Sequence, residues 1–280
     1  MVDSSHNKTI NQTDYQLEEQ VSPASKRLTG FRAFLLFKTT ITKYKTRPVI
    51  IPLRPGLFGL KNMKKNFSIH DLASESEAII LIPRREVTQR VKSQKGTTSS
   101  IGDRRYVLIT FNPFRDDTLR QKANRLVWKT PLIRIRPGLM ITPHIRVSRF
   151  RKYERILLRP SEYVQQLIEL GKTVWYAPKL QLMKPNQEQT LKKLIQEIFE
   201  ERSEFIIRSS DKLLKEAMES SNQPGWTKLA RQQLNLLRNR LRLIRAQSAF
   251  FQREFGFNFQ PIVTRTAAKV SRVKQKVLID

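Results

Sequence analysis

Up to Pro185 the apolar positions come in short runs, and after it they come in stripes three and four residues apart. Strands are therefore expected first and long helices last. Phe31 to Phe37, Pro48 to Leu60 and Ala78 to Ile82 read as strands of a small β-containing N-terminal domain over 29–93. The prolines of the second run make it an edge strand or an irregular one. Tyr106 to Phe111 is a buried-type strand, and Asp116-Asp117 then offers an N-cap for a helix reaching about Lys129, with Leu119, Ala123, Leu126 and Val127 on its inner face. Leu132 to Arg136, the turn Pro137-Gly138 and Leu139 to Thr142 form a hairpin. Ser161 caps a helix that ends at Gly171, and Val174-Trp175-Tyr176 is the last strand.

The order β-α-β-β-α-β over 104–184 is that of a ferredoxin-like domain, and the expected class is α+β. Beyond it, Leu191 to Met218 and Trp226 to Phe251 each carry a helical stripe, and Ser221 to Gly225 breaks them into an α-helical hairpin over 185–257. Residues 1–28 read as a disordered lead-in and 94–103, with the apolar-free Gln94 to Ser100, as a linker. The basic 258–280 tail, with few apolar residues beyond spaced valines, reads as a frayed helix or a disordered arm. Arg54-Pro55-Gly56-Leu57 recurs as Arg136-Pro137-Gly138-Leu139. Because Pro-Gly is a common turn, the echo reads as convergence rather than as a second copy of one fold.

Charge changes the picture. The chain of 280 residues carries 53 Lys and Arg against 24 Asp and Glu, a formal charge of +29. Such an excess calls for a polyanion, and neutralising phosphates releases condensed counterions, so nucleic acid is the expected partner. A membrane is not expected, because no apolar run approaches the roughly 20 residues that span a bilayer. The absence of cysteine excludes disulfides, zinc ribbons and thiol nucleophiles. With no apolar leader at the start, a cytoplasmic location is expected.

The charge is concentrated. From Ile101 to Pro160 there are 15 Lys and Arg against Asp103, Asp116, Asp117 and Glu154, too few acids to pair them. Arg134 and Arg136 alternate with Ile133 and Ile135 and so share one face of a strand. His144, Arg146, Arg149, Arg151, Lys152, Arg155 and Arg159 crowd an insertion before the second helix, where Phe150 and Tyr153 are placed to stack on bases. These cations and Tyr153 are the expected nucleic-acid contacts. No metal site, cofactor or catalytic set is expected: Asp116 and Asp117 are explained by capping, the three histidines are dispersed, and no phosphate-loop or nucleophile motif occurs.

Residues Arg105 to Leu182, through Tyr106 to Asp117, Lys122 to Lys129, Arg136 to Leu139 and Val174 to Tyr176, resemble the ferredoxin-like domain of three groups. These are the ChrB-type chromate-resistance regulators, the PaaX-type repressors and the small CRISPR adaptation subunit. The helical region after Pro185 is similar to the segment C-terminal to this domain in the ChrB-type proteins. The resemblance implies a ferredoxin-like fold and a homodimer. In the nuclease relatives a strand-end Asp is the proposed metal ligand, and Asn112 stands at the matching position here. The expectation is a non-enzymatic DNA-binding regulator or architectural protein, dimeric through its sheet edge or its helices. An RNA-binding component of a ribonucleoprotein is the first alternative, and a metal-dependent nuclease using Asp116 or Asp117 is the second.

Overall fold

The computed structural model describes residues 25–37, 50–61, 78–83, 104–183, 187–220 and 226–279. The linker at 94–103, the break at 221–225 and most of the lead-in lie outside these residues. Two compact units result: 1–124, 132–152 and 159–191 form the first, and 125–131, 153–158 and 192–280 the second. The fold is α+β.

The first unit is built on one sheet. Its strands are β1 (Ser25–Arg27), β2 (Ala33–Leu36), β3 (Ile50–Arg54), β4 (Leu57–Leu60), β5 (Ile79–Pro83), β6 (Tyr106–Phe111), β7 (Ile133–Arg136), β8 (Leu139–Pro143) and β9 (Val174–Leu182). The order is β3-β4-β2-β5-β9-β6-β8-β7, antiparallel throughout, with β1 added in parallel to β9. Helix α1 (Asp117–Lys129) joins β6 to β7. The short α2 (Val147–Phe150), a 3₁₀ turn at Arg151–Tyr153 and α3 (Pro160–Glu169) lie between β8 and β9. This is the expected β-α-β-β-α-β order. The segments 29–93 and 104–184, read from the sequence as separate domains, feed a single sheet.

Local chemistry explains most of the elements, with two corrections. The Asp116 carboxylate accepts the Leu119 N–H at 2.7 Å, so the aspartate caps α1 as expected. Helix α3 starts two residues earlier than a Ser161 cap would have it: Pro160 opens the helix, and Glu162 accepts the Arg159 N–H at 2.8 Å and its guanidinium at 2.8 Å. Ser25, Lys26 and Arg27, assigned from the sequence to the flexible lead-in, instead pair with Val174, Trp175 and Tyr176. Pro52 is accommodated because β3 is the outermost strand on its side.

The sheet is two copies of one pattern. Outward from its centre the strands run β5-β2-β4-β3 on one side and β9-β6-β8-β7 on the other, which is fourth, first, third, second within each half. The halves join where β5 and β9 pair antiparallel about Ile82 and Gln181, a pairing with local two-fold character. Each half has the same irregular hairpin. In one, Pro52 pairs with Phe58 and Arg54 with Leu57, leaving Leu53 as the extra residue; in the other, Arg134 pairs with Met140 and Arg136 with Leu139, leaving Ile135.

The two turns match in their hydrogen bonds as well. Gly56 and Gly138 have φ of 78° and 75°, and their carbonyls accept the N–H of Phe37 at 2.8 Å and of Phe111 at 2.9 Å. Proline then glycine at the two central positions, with positive φ at the second, is the chemistry of a type II turn. Topology, bulge, turn and hydrogen bond coincide, so the Arg-Pro-Gly-Leu echo marks equivalent places in a repeated fold. The convergent reading is corrected.

Strands β2, β4 and β8 are buried along both faces, with Ala33, Leu35, Phe37, Phe58, Leu60 and Ile80 in one cluster. Glu188 is buried beside Arg104, 3.3 Å away. Burial pushes its carboxyl above the usual range, and Arg104 pulls it part of the way back. The folded chain therefore holds this proton more tightly than the unfolded chain does. Stability should fall as pH rises from about 4.3 through the higher folded value, and level off above it. Glu188→Gln is expected to remove that fall. Urea midpoints measured from pH 4 to 8 check this, and a variant that tracks the parent throughout refutes it.

The second unit is a bundle of three helices: α4 (Gln187–Ser220, from residue 192 onward), α5 (Trp226–Phe255) and α6 (Gln260–Ile279). The first two match the expected hairpin. The third corrects the expected frayed tail, because Val263, Thr266, Val270, Val273 and Val277 are buried at spacings of three and four. Helix α5 buries Ala230, Leu234, Leu237, Leu241, Ile244, Ser248, Phe251 and Phe255 in the same rhythm. Alternating spacings of three and four are those of a coiled-coil-like seam. Phe199, Phe251 and Phe259 cluster beside it, and Ser203 and Thr266 share a buried hydrogen bond at 2.6 Å.

A polar network ties α4 and α5 to the end of α1, whose residues 125–129 belong to this unit. The buried Arg202 guanidinium donates to Gln247 Oε1 and to the Val127 carbonyl at 3.2 Å, and lies 5.0 Å from the Trp128 ring centroid. Gln247 Nε2 donates to the carbonyls of Trp128 at 2.7 Å and Thr130 at 3.1 Å. Carbonyls that α1 leaves without helical donors are thereby satisfied.

Candidate nucleic-acid interface

The basic segment between β8 and α3 is held by apolar anchors and offers its charge outward. Phe150, Tyr153 and Leu157 are buried, three and four residues apart, while Arg146, Arg149, Arg151, Lys152 and Arg155 are exposed. The first four cations belong to the first unit and Arg155 to the second. Within these ten residues Glu154 is the only acid. Tyr153 is 9% exposed and its ring meets Phe250 edge-on at 5.2 Å. Burial, and after it the charge of Glu254, raises its phenol pKa, while Arg253 acts in the opposite sense. Neither its ring nor that of Phe150 is offered to a base.

The other expected contacts separate. Arg159 is tied to Glu162 at the start of α3, and His144 is half-buried, its backbone N–H on the Arg105 carbonyl at 2.8 Å. Arg134 and Arg136 do not share a face as their alternation suggested, because the bulge at Ile135 lies between them. Arg134 is exposed. Arg136 turns against the opposite hairpin, where a Cβ on Gly56 would stand 2.6 Å from its Cδ and 3.1 Å from its Nη1.

The equivalent arginine of the first half, which sequence reasoning passed over, also crosses to the other half. The Arg54 guanidinium donates to Asn112 Oδ1 and lies 3.9 Å from the centroid of the Trp175 ring. Partial burial lowers its pKa. Asn112 is therefore engaged in joining the two halves. Among the described residues no three carboxylates or imidazoles are grouped to hold a metal. Asp116 caps α1, and Asp117 pairs with Arg120 at 2.8 Å. No helix among the described residues is long and apolar enough to cross a membrane.

The second unit holds a basic surface that the sequence reading missed. Helices α5 and α6 together carry twelve Lys and Arg and one acid, Glu254, whereas the acids of the bundle gather on α4. Some of this charge is compensated: Arg265 reaches Glu204 at 2.9 Å, and Lys269 pairs with Asp211. Between α5 and α6 a groove of about 690 Å³ remains, with Arg238, Arg242, Arg245 and Lys274 on its rim. The signal was present as arginines at i, i+4 and i+7, outside the apolar stripe. Comparison with known proteins found no matching protein family, no matching curated protein and no matching solved structure.

Proposed function

We propose that the protein is a non-enzymatic nucleic-acid-binding protein that grips the phosphate backbone, DNA before RNA, in a regulatory or architectural role. The observation that carries this is the exposure of Arg146, Arg149, Arg151 and Lys152 around the buried Phe150. Arginine suits bidentate phosphate contacts, and the cations of this segment far outnumber its acid. Structural roles for Asp116 and Asn112 favour binding over cleavage. The regulatory part rests on the resemblance to the ChrB-type and PaaX-type domains, and the homodimer belongs to the same proposal.

Fluorescence anisotropy with a labelled DNA duplex tests the reading. Affinity should fall steeply with salt, log K against log salt having a slope of about −0.9 per phosphate contact. Replacing Arg146, Arg149, Arg151 and Lys152 by Ala should flatten the slope by about 3.6 if each meets one phosphate. Salt-independent binding, or no binding at low salt, refutes it. Competition by a matched RNA duplex separates the DNA reading from its alternative.

A further inference from the structure

We infer that the groove between α5 and α6 is a second phosphate-binding site, seating the sugar-phosphate backbone of one strand of a duplex. This rests on the reading that the protein binds nucleic acid, and it assigns to the helical bundle a contact independent of the insertion.

Arg238, Arg242 and Arg245 lie on one stripe of α5, and Lys274 faces them from α6. All four are exposed, and none makes an ion pair or side-chain hydrogen bond among the described residues. The contrast lies on the same helix: Arg265 and Lys269, a few residues away on α6, are matched by Glu204 and Asp211 of α4. Helix α6 has no acid, and the only acid of α5, Glu254, stands nine residues beyond Arg245. Like charges at i, i+3 and i+4 repel, so this stripe disfavours the bundle unless an anion occupies the groove.

The lining specifies which anion. Leu241 and Val270 form a buried apolar floor, and Asn235, Asn239 and Ser271 add neutral hydrogen-bonding groups among the cations. Packed helices run about 8–10 Å apart, so the depression between them is one backbone wide and cannot enclose a duplex. From Arg238 to Arg245 the helix advances about 10 Å, a reach that lets its guanidiniums meet adjacent phosphates of one strand. No aromatic residue lines the groove, so it lacks the stacking platform that unpaired bases use. Arginine, asparagine and serine without aromatics make contacts that position a backbone without reading sequence. The occupant is therefore a paired strand held by its phosphates.

The test uses the full chain and a labelled DNA duplex. Replacing Arg238, Arg242 and Arg245 together by Gln should keep helicity and leave the thermal midpoint of the free protein no lower than the parent's, yet weaken duplex binding at 0.15 M salt at least tenfold and flatten the salt slope by about 2.7. Lys at the same three positions should restore most of the slope. The pair Arg265→Gln and Lys269→Gln, which removes cations already matched by acids, should change affinity less than twofold. A Gln variant with the parent's affinity and slope overturns the inference while leaving the wider reading intact. Failure of the parent to bind in a salt-dependent way overturns both. A groove-dependent loss larger on single-stranded DNA than on duplex overturns the assignment to a paired strand.

Discussion

Replacing Gly138 by alanine should destabilise the sheet by about 3 kcal/mol or more, a large part of the 5–15 kcal/mol that holds a typical domain. The residue sits at φ 75°, where an L side chain costs about 1–2 kcal/mol. A Cβ there would stand 2.2 Å from the Phe111 carbonyl oxygen. That oxygen belongs to the backbone of β6 and cannot swing aside. Relief would require opening the bond from the Phe111 N–H to the Gly138 carbonyl, worth about 0.5–1.5 kcal/mol, and moving the buried Phe111 ring. Gly56→Ala meets the Phe37 carbonyl at 2.6 Å and the flexible Arg136 side chain, so its cost should be smaller. Urea midpoints at unchanged m-value measure both. A Gly138→Ala loss below about 1 kcal/mol, or the reverse order of the two, contradicts the backbone clash at Phe111.

The second large effect is expected at Arg202. Leucine of similar bulk would leave Gln247 Oε1 and the Val127 carbonyl short of a donor in a buried place, at about 1–3 kcal/mol each. It would also remove a cation from the C-terminal end of α1, where the helix dipole favours positive charge by up to about 2 kcal/mol. The expected total is about 3 kcal/mol, read as a lowered thermal midpoint and loss of amide protection in α5. Lysine should recover only part of this, because a single ammonium cannot reproduce the planar fork that serves two acceptors and lies near Trp128. Gln247→Glu provides an independent check. It keeps an acceptor for Arg202 but removes the amide donor that meets the carbonyls of Trp128 and Thr130, so it should also destabilise. Full stability in Arg202→Leu would mean that these bonds are replaced by solvent.

Local chemistry was legible and long-range chemistry was not. The strand at Tyr106 to Phe111, the Asp116 cap, the Pro137-Gly138 turn and the division of the bundle near residue 221 follow from signals a few residues wide. The third bundle helix was harder to read because its buried stripe is narrow, four valines and Thr266, and the rest of its surface is polar and basic. A strict heptad seam needs few apolar residues, and hydrophobic content alone undervalues it. The N-terminal half was harder again. Its equivalence to the second half resides in strand order, a bulge and a carbonyl-to-amide bond, of which only four identical residues show in the sequence.

The candidate contacts divided in the same way. The exposed cations of the insertion could be named because they cluster in sequence. Tyr153 could not be placed, since its burial depends on Phe250, and Arg136 could not be placed, since its neighbour Gly56 lies in the other half. Arg54 gave no local hint of its contacts with Asn112 and Trp175.

The join between β5 and β9 has a consequence for how the sheet responds to dilution. Two separate chains pairing at that edge would be held by mass action and would part as concentration fell. Here a single polypeptide carries both partners, so their local concentration is on the order of millimolar whatever the amount of protein in solution. The pairing of Leu81 with Leu182 and of Pro83 with Leu180 can then be short and still persist. Tethering also lets the two copies diverge, because a substitution in one half is not imposed on the other. The two hairpin arginines already show it: Arg54 rests on an indole, and Arg136 is packed against a glycine.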